Sequence, residues 1–172
     1  MLRKLEEKDF DKVFRLIEIS FPKDEYRPYA GQKALLNDPA YEVFVLPGAD
    51  GAVTAFMAVW KFKPFVYLEH FAVDPKYRSG GIGSQLLSEL IRVSGKMICL
   101  EVELPDNATA ARRIAFYERG GFFLNEYPYM QPPLADGQKS VPLAIMSSGR
   151  AISHAEFDAV KQVLYTRVYK CR

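Results

Sequence analysis

The sequence predicts an α/β or α+β domain built on a mixed sheet, and three observations carry that reading. Apolar residues recur at helical spacing in several separate segments, β-rich runs lie between them, and one Pro-Gly-containing turn joins two such runs as a hairpin. Taken along the chain, the order is helix, helix, hairpin, strand, helix, strand, helix, strand, strand, helix, with a further short strand at Leu2 to Leu5. The 172 residues suit a single domain spanning 1–172, large enough to bury about 70% of its unfolded surface without a disulfide or metal staple.

Each element has a local cause. Phe10, Val13, Phe14, Ile17 and Phe21 form one stripe of an amphipathic helix over Asp9 to Phe21, ended by Pro22. A polar loop with Glu25, Tyr26, Arg27, Pro28 and Tyr29 follows, then a short helical stretch to Asn37. Tyr41 to Leu46 and Ala52 to Phe62 are β-rich and joined by Pro47-Gly48-Ala49-Asp50-Gly51, and Val66 to Val73 is a strand stopped by Asp74-Pro75. Ile82, Leu86, Leu87, Leu90 and Ile91 make a second helical stripe, up to Gly95. Met97 to Leu104 is an apolar strand carrying Glu101 and Glu103, and a helix from Asn107 to Arg119 is stopped by Gly120-Gly121. Phe122 to Met130 and Val141 to Ser147 read as strands, separated by a loop with two prolines and a glycine. Ser153-His154-Ala155-Glu156 is a capping box that opens a last helix, expected to run to Lys170 with Phe157, Val160, Leu164 and Val168 on one face.

Composition excludes several classes of function. The net charge is +2, and no five like charges run together, which argues against binding nucleic acid by phosphate neutralisation. The longest uncharged apolar stretch, Gly51 to Trp60, is about half of what a membrane-spanning helix needs. Cys99 and Cys171 form no disulfide framework, and Met1 to Glu7 lacks the apolar core of a signal peptide, so a reducing cytoplasm is expected. His70 and His154 lie far apart, and no cluster has zinc-ligand spacing, so no metal is expected.

The segment Val73-Asp74-Pro75-Lys76-Tyr77-Arg78-Ser79-Gly80-Gly81-Ile82-Gly83-Ser84 is the most informative. A strand ends, a turn follows, and three glycines sit where a helix begins. Helix N-termini present unpaired N–H groups and a partial positive charge, and glycine lets the backbone approach a phosphate closely. Arg78 adds a forked donor. A P-loop would need lysine after Gly83, where Ser84 stands. The dinucleotide fingerprint would need glycine at Leu86, and several residues intervene between Val73 and the glycines.

Arg78-Ser79-Gly80-Gly81-Ile82-Gly83 fits a third pattern, Arg/Gln-x-x-Gly-x-Gly/Ala, throughout. In this the chain resembles the GNAT superfamily of acyl-CoA-dependent N-acetyltransferases, whose pyrophosphate-binding loop has this form. Leu68 to Pro75 looks like the strand and turn that normally precede that loop, and Arg113 to Phe122, with Tyr117 ahead of a Gly-Phe pair, resembles the second signature. The resemblance covers roughly Tyr41 to Met130, with the termini fitting by element order. It implies a GNAT-like mixed, mostly antiparallel sheet of six to seven strands flanked by helices, with a splayed central parallel pair. It also implies transfer of an acetyl group from acetyl-CoA to an amine by direct attack.

The same resemblance assigns roles. Backbone from Arg78 through Ser79, Gly80, Gly81, Ile82 and Gly83 to Ser84 would hold the pyrophosphate. Backbone near Phe71, Ala72 and Val73 would donate to the thioester carbonyl. Tyr117 corresponds to the acid that protonates the departing thiolate. An ammonium acceptor must lose a proton before it attacks, and Glu69, on a face with Tyr67, Phe71 and Val73, is the first candidate base. Glu101 and His70 are its rivals, His70 being expected on the opposite face; water with Glu69 as an ammonium anchor is the alternative. Where the family commonly has an asparagine seven residues before the tyrosine, this chain has Ala110; Asn107 is either a cofactor contact or a helix cap, and Arg112 and Arg113 are candidates for a CoA phosphate.

Glu25, Tyr26, Tyr29, Trp60, Tyr127 and Tyr129 are candidate walls for the acceptor, since aromatics with carboxylates suit a cation. The expected acceptor is a small-molecule amine ahead of a peptide, with neither nucleic acid nor membrane as partner and a homodimer compatible with the last helix. Two other classes stay open: a catalytically weak CoA-binding regulatory module, and a nicotinamide dehydrogenase on the partial G-x-G.

Overall fold

A computed structural model describes residues 1–171, and the chain divides into two units, Met1–Ile98 and one beginning at Cys99. The first unit opens with β1 (Arg3–Lys4), the short strand expected near Leu2, followed by α1 (Phe10–Ser20). Phe10, Val13, Phe14 and Ile17 of the predicted stripe are all buried on α1. A six-residue α2 (Tyr29–Ala34) precedes β2 (Tyr41–Pro47), β3 (Val53–Lys61) and β4 (Val66–Val73). These four strands lie in chain order, each antiparallel to the next. All residues of β3 from Val53 to Trp60 are buried, as expected of a strand covered on both faces. The helix α3 (Ile82–Ser94) ends on Gly95 in the left-handed conformation at φ 60°. At the start of β4, the Val66 amide donates to the carbonyl of Met97, 2.9 Å away.

One irregularity in this unit lies in the pairing of β4 with β3. Val59 pairs with Leu68 and Ala58 with His70, so β4 has one residue more than β3 across this step. Glu69 is the extra residue of a β-bulge. Simple alternation placed Glu69 and His70 on opposite faces; the added residue resets the alternation. Both side chains are buried, at 3% and 2% exposure, and Nδ1 of His70 stands 3.7 Å from Oε2 of Glu69. Glu69 as a whole residue is nonetheless half-buried. Its exposure therefore lies in the main chain.

The second unit carries β5 (Ile98–Glu103, from its second residue), α4 (Ala108–Arg119), β6 (Phe122–Gln131), β7 (Val141–Ser148) and α5 (His154–Val163). β7 pairs antiparallel with both β5 and β6. The β6 strand bulges too: Asn125 faces Ile145 and Tyr129 faces Leu143, so Glu126, Tyr127 and Pro128 bow out against Ala144 alone. Buried Asn125 pins this bend, donating to the Ile145 carbonyl and Ser147 Oγ and accepting from the Ile152 amide. The capping box of Ser153 and Glu156 is present. The expected helix to Lys170 is shorter: the α-helix stops at Val163 and continues as a π-helical turn, Leu164–Val168. Thr166 Oγ1 donates back to the Gln162 and Val163 carbonyls, a local competition that widens helices. Leu164 and Val168 stay buried, so the apolar stripe survives.

Candidate active site

The glycine segment folds as an open turn ahead of a helix within the first unit. Asp74 caps a 3-10 turn (Pro75–Tyr77) by accepting from the Lys76 amide, which carries the chain off the end of β4. Ser79 and Gly81 then adopt φ values of 76° and 74°, and Gly81 is the N-cap of α3. Two left-handed residues in three turn successive amides toward one side, an arrangement that binds anions. Gln85 is the first amide bonded to the helix's own start, at the Gly81 carbonyl; those of Ile82, Gly83 and Ser84 have no acceptor within α3. A Cβ on Gly81 would meet nothing within 4 Å, so the space above the helix start is open. Arg78 lays its Nε against the Val73 carbonyl at 3.0 Å, which fixes its exposed guanidinium beside the loop. Gly81→Ala should cost about 1 kcal/mol although its Cβ clashes with nothing, because only the left-handed backbone is penalised; a lower urea midpoint at unchanged slope checks this.

The bulge in β4 places Glu69 in a buried polar cluster. Its Oε1 accepts from Nη1 of Arg27 at 2.9 Å and its Oε2 from Nε1 of Trp60 at 3.3 Å. Burial pushes the Glu69 carboxyl up, but the Arg27 charge and these hydrogen bonds more than offset it, leaving the carboxyl below its ordinary value. His70 holds the Glu25 carbonyl through Nε2 at 2.8 Å, so Nε2 carries the hydrogen. Burial keeps its ring below the ordinary histidine value, against the pull of Glu69. Gln32 accepts from the Arg27 amide and donates to the Tyr41 hydroxyl. Trp60, expected as an acceptor wall, is 0% exposed and packs against Tyr41 and Phe62: it is core, because β3 is covered on both faces. Tyr26 is buried and Glu25 half-buried. Tyr29 is exposed, bonded to Asp11 and packed edge-on against Phe10 and Phe14. Phe71 and Val73 are half-buried and Ala72 buried.

In the second unit, Tyr117 is buried on α4 with ring contacts to Phe116 and Phe122. Burial pushes its phenol up to about 12, opposed by the Arg113 charge. Asn107 caps α4, its Oδ1 accepting from the Ala110 amide at 2.9 Å. Arg112 is exposed and Arg113 half-buried. Glu101 on β5 accepts from the hydroxyls of Tyr129 at 3.1 Å and Tyr169 at 2.5 Å. Tyr127 is tied to the Ile152 carbonyl and packs on Phe157. A surface groove of about 590 Å³ runs along this unit, walled by Leu104, Tyr127, Tyr129, Leu143 and Tyr165, with Lys161 at its side.

Arg27, Gln32 and Tyr41 had no role in the sequence reading, nor did Tyr169. The signal for Arg27 was present: a carboxylate on an apolar strand needs a buried cation, and Arg27 lies in the polar loop after α1. Tyr169 gave no comparable signal, since its approach to Glu101 follows a π-helical turn.

Among the described residues, no group of three His, Cys, Asp or Glu could hold a metal ion, and no helix is long and apolar enough to cross a membrane. An open, glycine-lined helix start behind an arginine, following a bulged strand, is chemically suited to a phosphate group. The sequence model of the acetyltransferase (GNAT) family matches residues 2–122, and the chain belongs to that family. It is similar to a putative GNAT-family acetyltransferase from Bacteroides thetaiotaomicron, with 31% identity, 100% of this chain and 99% of that one covered, and a TM-score of 0.88. A spermidine N-acetyltransferase variant from Vibrio cholerae shares the fold at 16% identity, 98% coverage of both chains and a TM-score of 0.64. The ribosomal-protein-S18-alanine N-acetyltransferase of Escherichia coli does so at 23% identity, 89% and 95% coverage, and a TM-score of 0.63. An uncharacterized protein of Mycobacterium leprae is 34% identical over 120 residues, which are 66% of this chain and 32% of that protein. The chain thus matches about a third of the length of this curated relative.

Proposed function

We propose that this chain transfers an acetyl group from acetyl-CoA to a primary amine, a small molecule ahead of a protein, by direct attack. The observation that carries the reading is the loop from Arg78 to Ser84, with its two left-handed residues, open space at Gly81 and unbonded amides on α3. These groups suit a pyrophosphate. Acetyl-CoA supplies the activated thioester; the chain supplies binding, donors and proton handling. Amides of Ile82, Gly83 and Ser84, with Arg78, hold phosphate oxygens. Main chain of β4 at Phe71 to Val73, next to the exposed backbone of the bulge, donates where negative charge develops.

Glu69 has both carboxylate oxygens engaged and its charge held in place. That suits a fixed anion near the acceptor better than a group that must take up a proton, so water carries the proton away, with Glu101 the remaining carboxylate candidate. The Tyr117 phenol, pushed up to about 12, stays protonated and donates a hydrogen bond to the departing sulfur. Arg112 and Arg113 are proposed for a CoA phosphate, Asn107 for holding α4 in place, and Glu25, Tyr26 and Tyr129 for the acceptor side. The relatives described as acting on spermidine and on a ribosomal-protein alanine suggest the amines to try first, a polyamine and an N-terminal peptide.

A second reading, a CoA-binding regulatory module of weak activity, rests on Ala110 at the family's asparagine position and on Asn107 being spent as a cap. Thermal denaturation with acetyl-CoA tests the common claim: at 100 times the dissociation constant the native state should gain about 2.7 kcal/mol. Thiol release over an amine panel then separates the readings. No thermal shift at saturating acetyl-CoA overturns both. A shift without thiol release from any amine leaves the regulatory module.

A further inference from the structure

We propose that Arg27 is a positioning residue that, through its ion pair with Glu69, fixes at once the bulge in β4 and the segment joining α1 to α2. The proposal rests on the acetyltransferase reading for its effect on rate, but not for its effect on the chain itself. Arg27 and Glu69 are 42 residues apart and meet with side chains 8% and 3% exposed. Taking two charges out of water costs more than their attraction returns unless further hydrogen bonds complete the pair. Here Trp60 completes the carboxylate, and Gln32 holds the Arg27 amide while itself bonded to Tyr41. Two residues before Arg27, the Glu25 carbonyl is held by His70 of β4. Residues 25–32 are therefore attached to β2, to β4 and, through Glu69, to Trp60 of β3.

The segment has little regular structure of its own, although Tyr26 and Tyr29 also pack on Phe14 of α1 and Tyr29 bonds Asp11. It follows Pro22, contains Pro28, and has only a 3-10 turn (Lys23–Glu25) and the six residues of α2. Helices this short do not persist on their own hydrogen bonds. Side-chain anchors must order it. The same ion pair acts on the strand: Glu69 is the bulge residue, its carboxylate held inward while its main chain stays exposed. Arg27 thereby sets where the bulge presents its backbone to an acyl group and where the loop presents its side chains to an acceptor.

The double variant Arg27→Gln/Glu69→Gln separates positioning from folding, because it removes both buried charges and leaves neither unpaired. Amide exchange over residues 22–32 should quicken at least about tenfold in this variant, as local opening becomes easier. Arg27→Lys, which keeps Glu69 and a positive charge beside it but loses the fork, should lower kcat/KM for the amine at least about tenfold, since misplacing reacting groups by ~1 Å costs on the order of 10²-fold. Acetyl-CoA binding, which rests on the separate loop at Arg78, should stay within about twofold. Wild-type exchange over 22–32 in the double variant overturns the proposal, as does wild-type kcat/KM in Arg27→Lys. An equal loss of acetyl-CoA binding overturns it too. If the double variant does not fold, Arg27→Lys carries the exchange measurement as well, with the same direction expected. If the wild-type protein releases no thiol with any amine, the proposed function falls, and the exchange measurement alone decides the role of Arg27.

Discussion

Tyr117→Phe is expected to lower kcat by about 10²-fold or more while leaving the KM for acetyl-CoA nearly unchanged. A positioned proton donor typically contributes 10²–10⁴-fold, and a contribution made only as charge develops appears in kcat rather than in binding. The substitution is clean. Phenylalanine keeps the edge contacts with Phe116 and Phe122 and removes one hydroxyl, for which no protein partner exists among the described residues. Stability should move by less than about 0.5 kcal/mol, the usual range where no buried partner is orphaned. With the phenol pushed up to about 12, complete transfer to a thiolate of ordinary pKa near 8.5 runs uphill. In the proposed role the group donates a hydrogen bond and stays neutral across the working range. The Tyr117→Phe deficit should therefore be the same at pH 7 and pH 9, measured as the ratio of wild-type to variant kcat. A deficit that vanishes as the pH rises would instead mean that ionisation of this phenol matters.

Most of the fold was legible because its signals are local. The α1 stripe, the Asn107 and Ser153 caps and the Gly95 stop each depend on residues within a turn of one another, and each appears where the spacing placed it. The β4 boundaries came out as Val66 to Val73 for the same reason: Asp74-Pro75 ends the strand and Asp74 caps the turn that follows. Periodicity failed where pairing with another strand, or a side chain returning to its own backbone, decided the geometry. The bulge at Glu69 exists only in the register between β3 and β4. The π-helical turn depends on Thr166 reaching back to Gln162.

The candidate site divides in the same way. The glycine loop could be read from composition and order, because phosphate binding through backbone amides needs small residues ahead of a helix. The partners of Glu69 could not, since Arg27 and Trp60 reach it from segments 42 and 9 residues away. Trp60 shows how an aromatic residue misleads: in the sequence an indole near carboxylates suits a cation site, whereas here its N–H is spent on Glu69 inside the core. The net charge of +2 also takes on a clearer sense. A loop that holds an anion by backbone amides and one arginine does not require a basic protein.

Arg27→Met should destabilise the protein by about 3–5 kcal/mol, the usual cost of leaving one charge of a buried pair without its partner. Adding Glu69→Leu should recover most of that loss, because replacing both charges with apolar groups of similar size is often neutral or stabilising. Denaturant midpoints of the two single variants and the double variant give the coupling directly. The dependence on pH provides an independent check on sign. In the wild-type protein the Glu69 carboxyl lies below its ordinary value of 4.5. Its contribution to stability is therefore full above that value and is lost as pH falls through the lower, folded one. Without Arg27 the same carboxyl is left buried beside only His70, whose own burial disfavours its charged form, and desolvation pushes the carboxyl above the ordinary value. The folded variant then binds the proton more tightly than the unfolded chain does. Its stability should rise, relative to wild type, as pH is lowered toward the ordinary carboxyl range. Relative slopes of opposite sign are required if the pair is an ionised one; parallel slopes would show that Glu69 is already protonated in the native protein and that Arg27 stabilises it by packing alone.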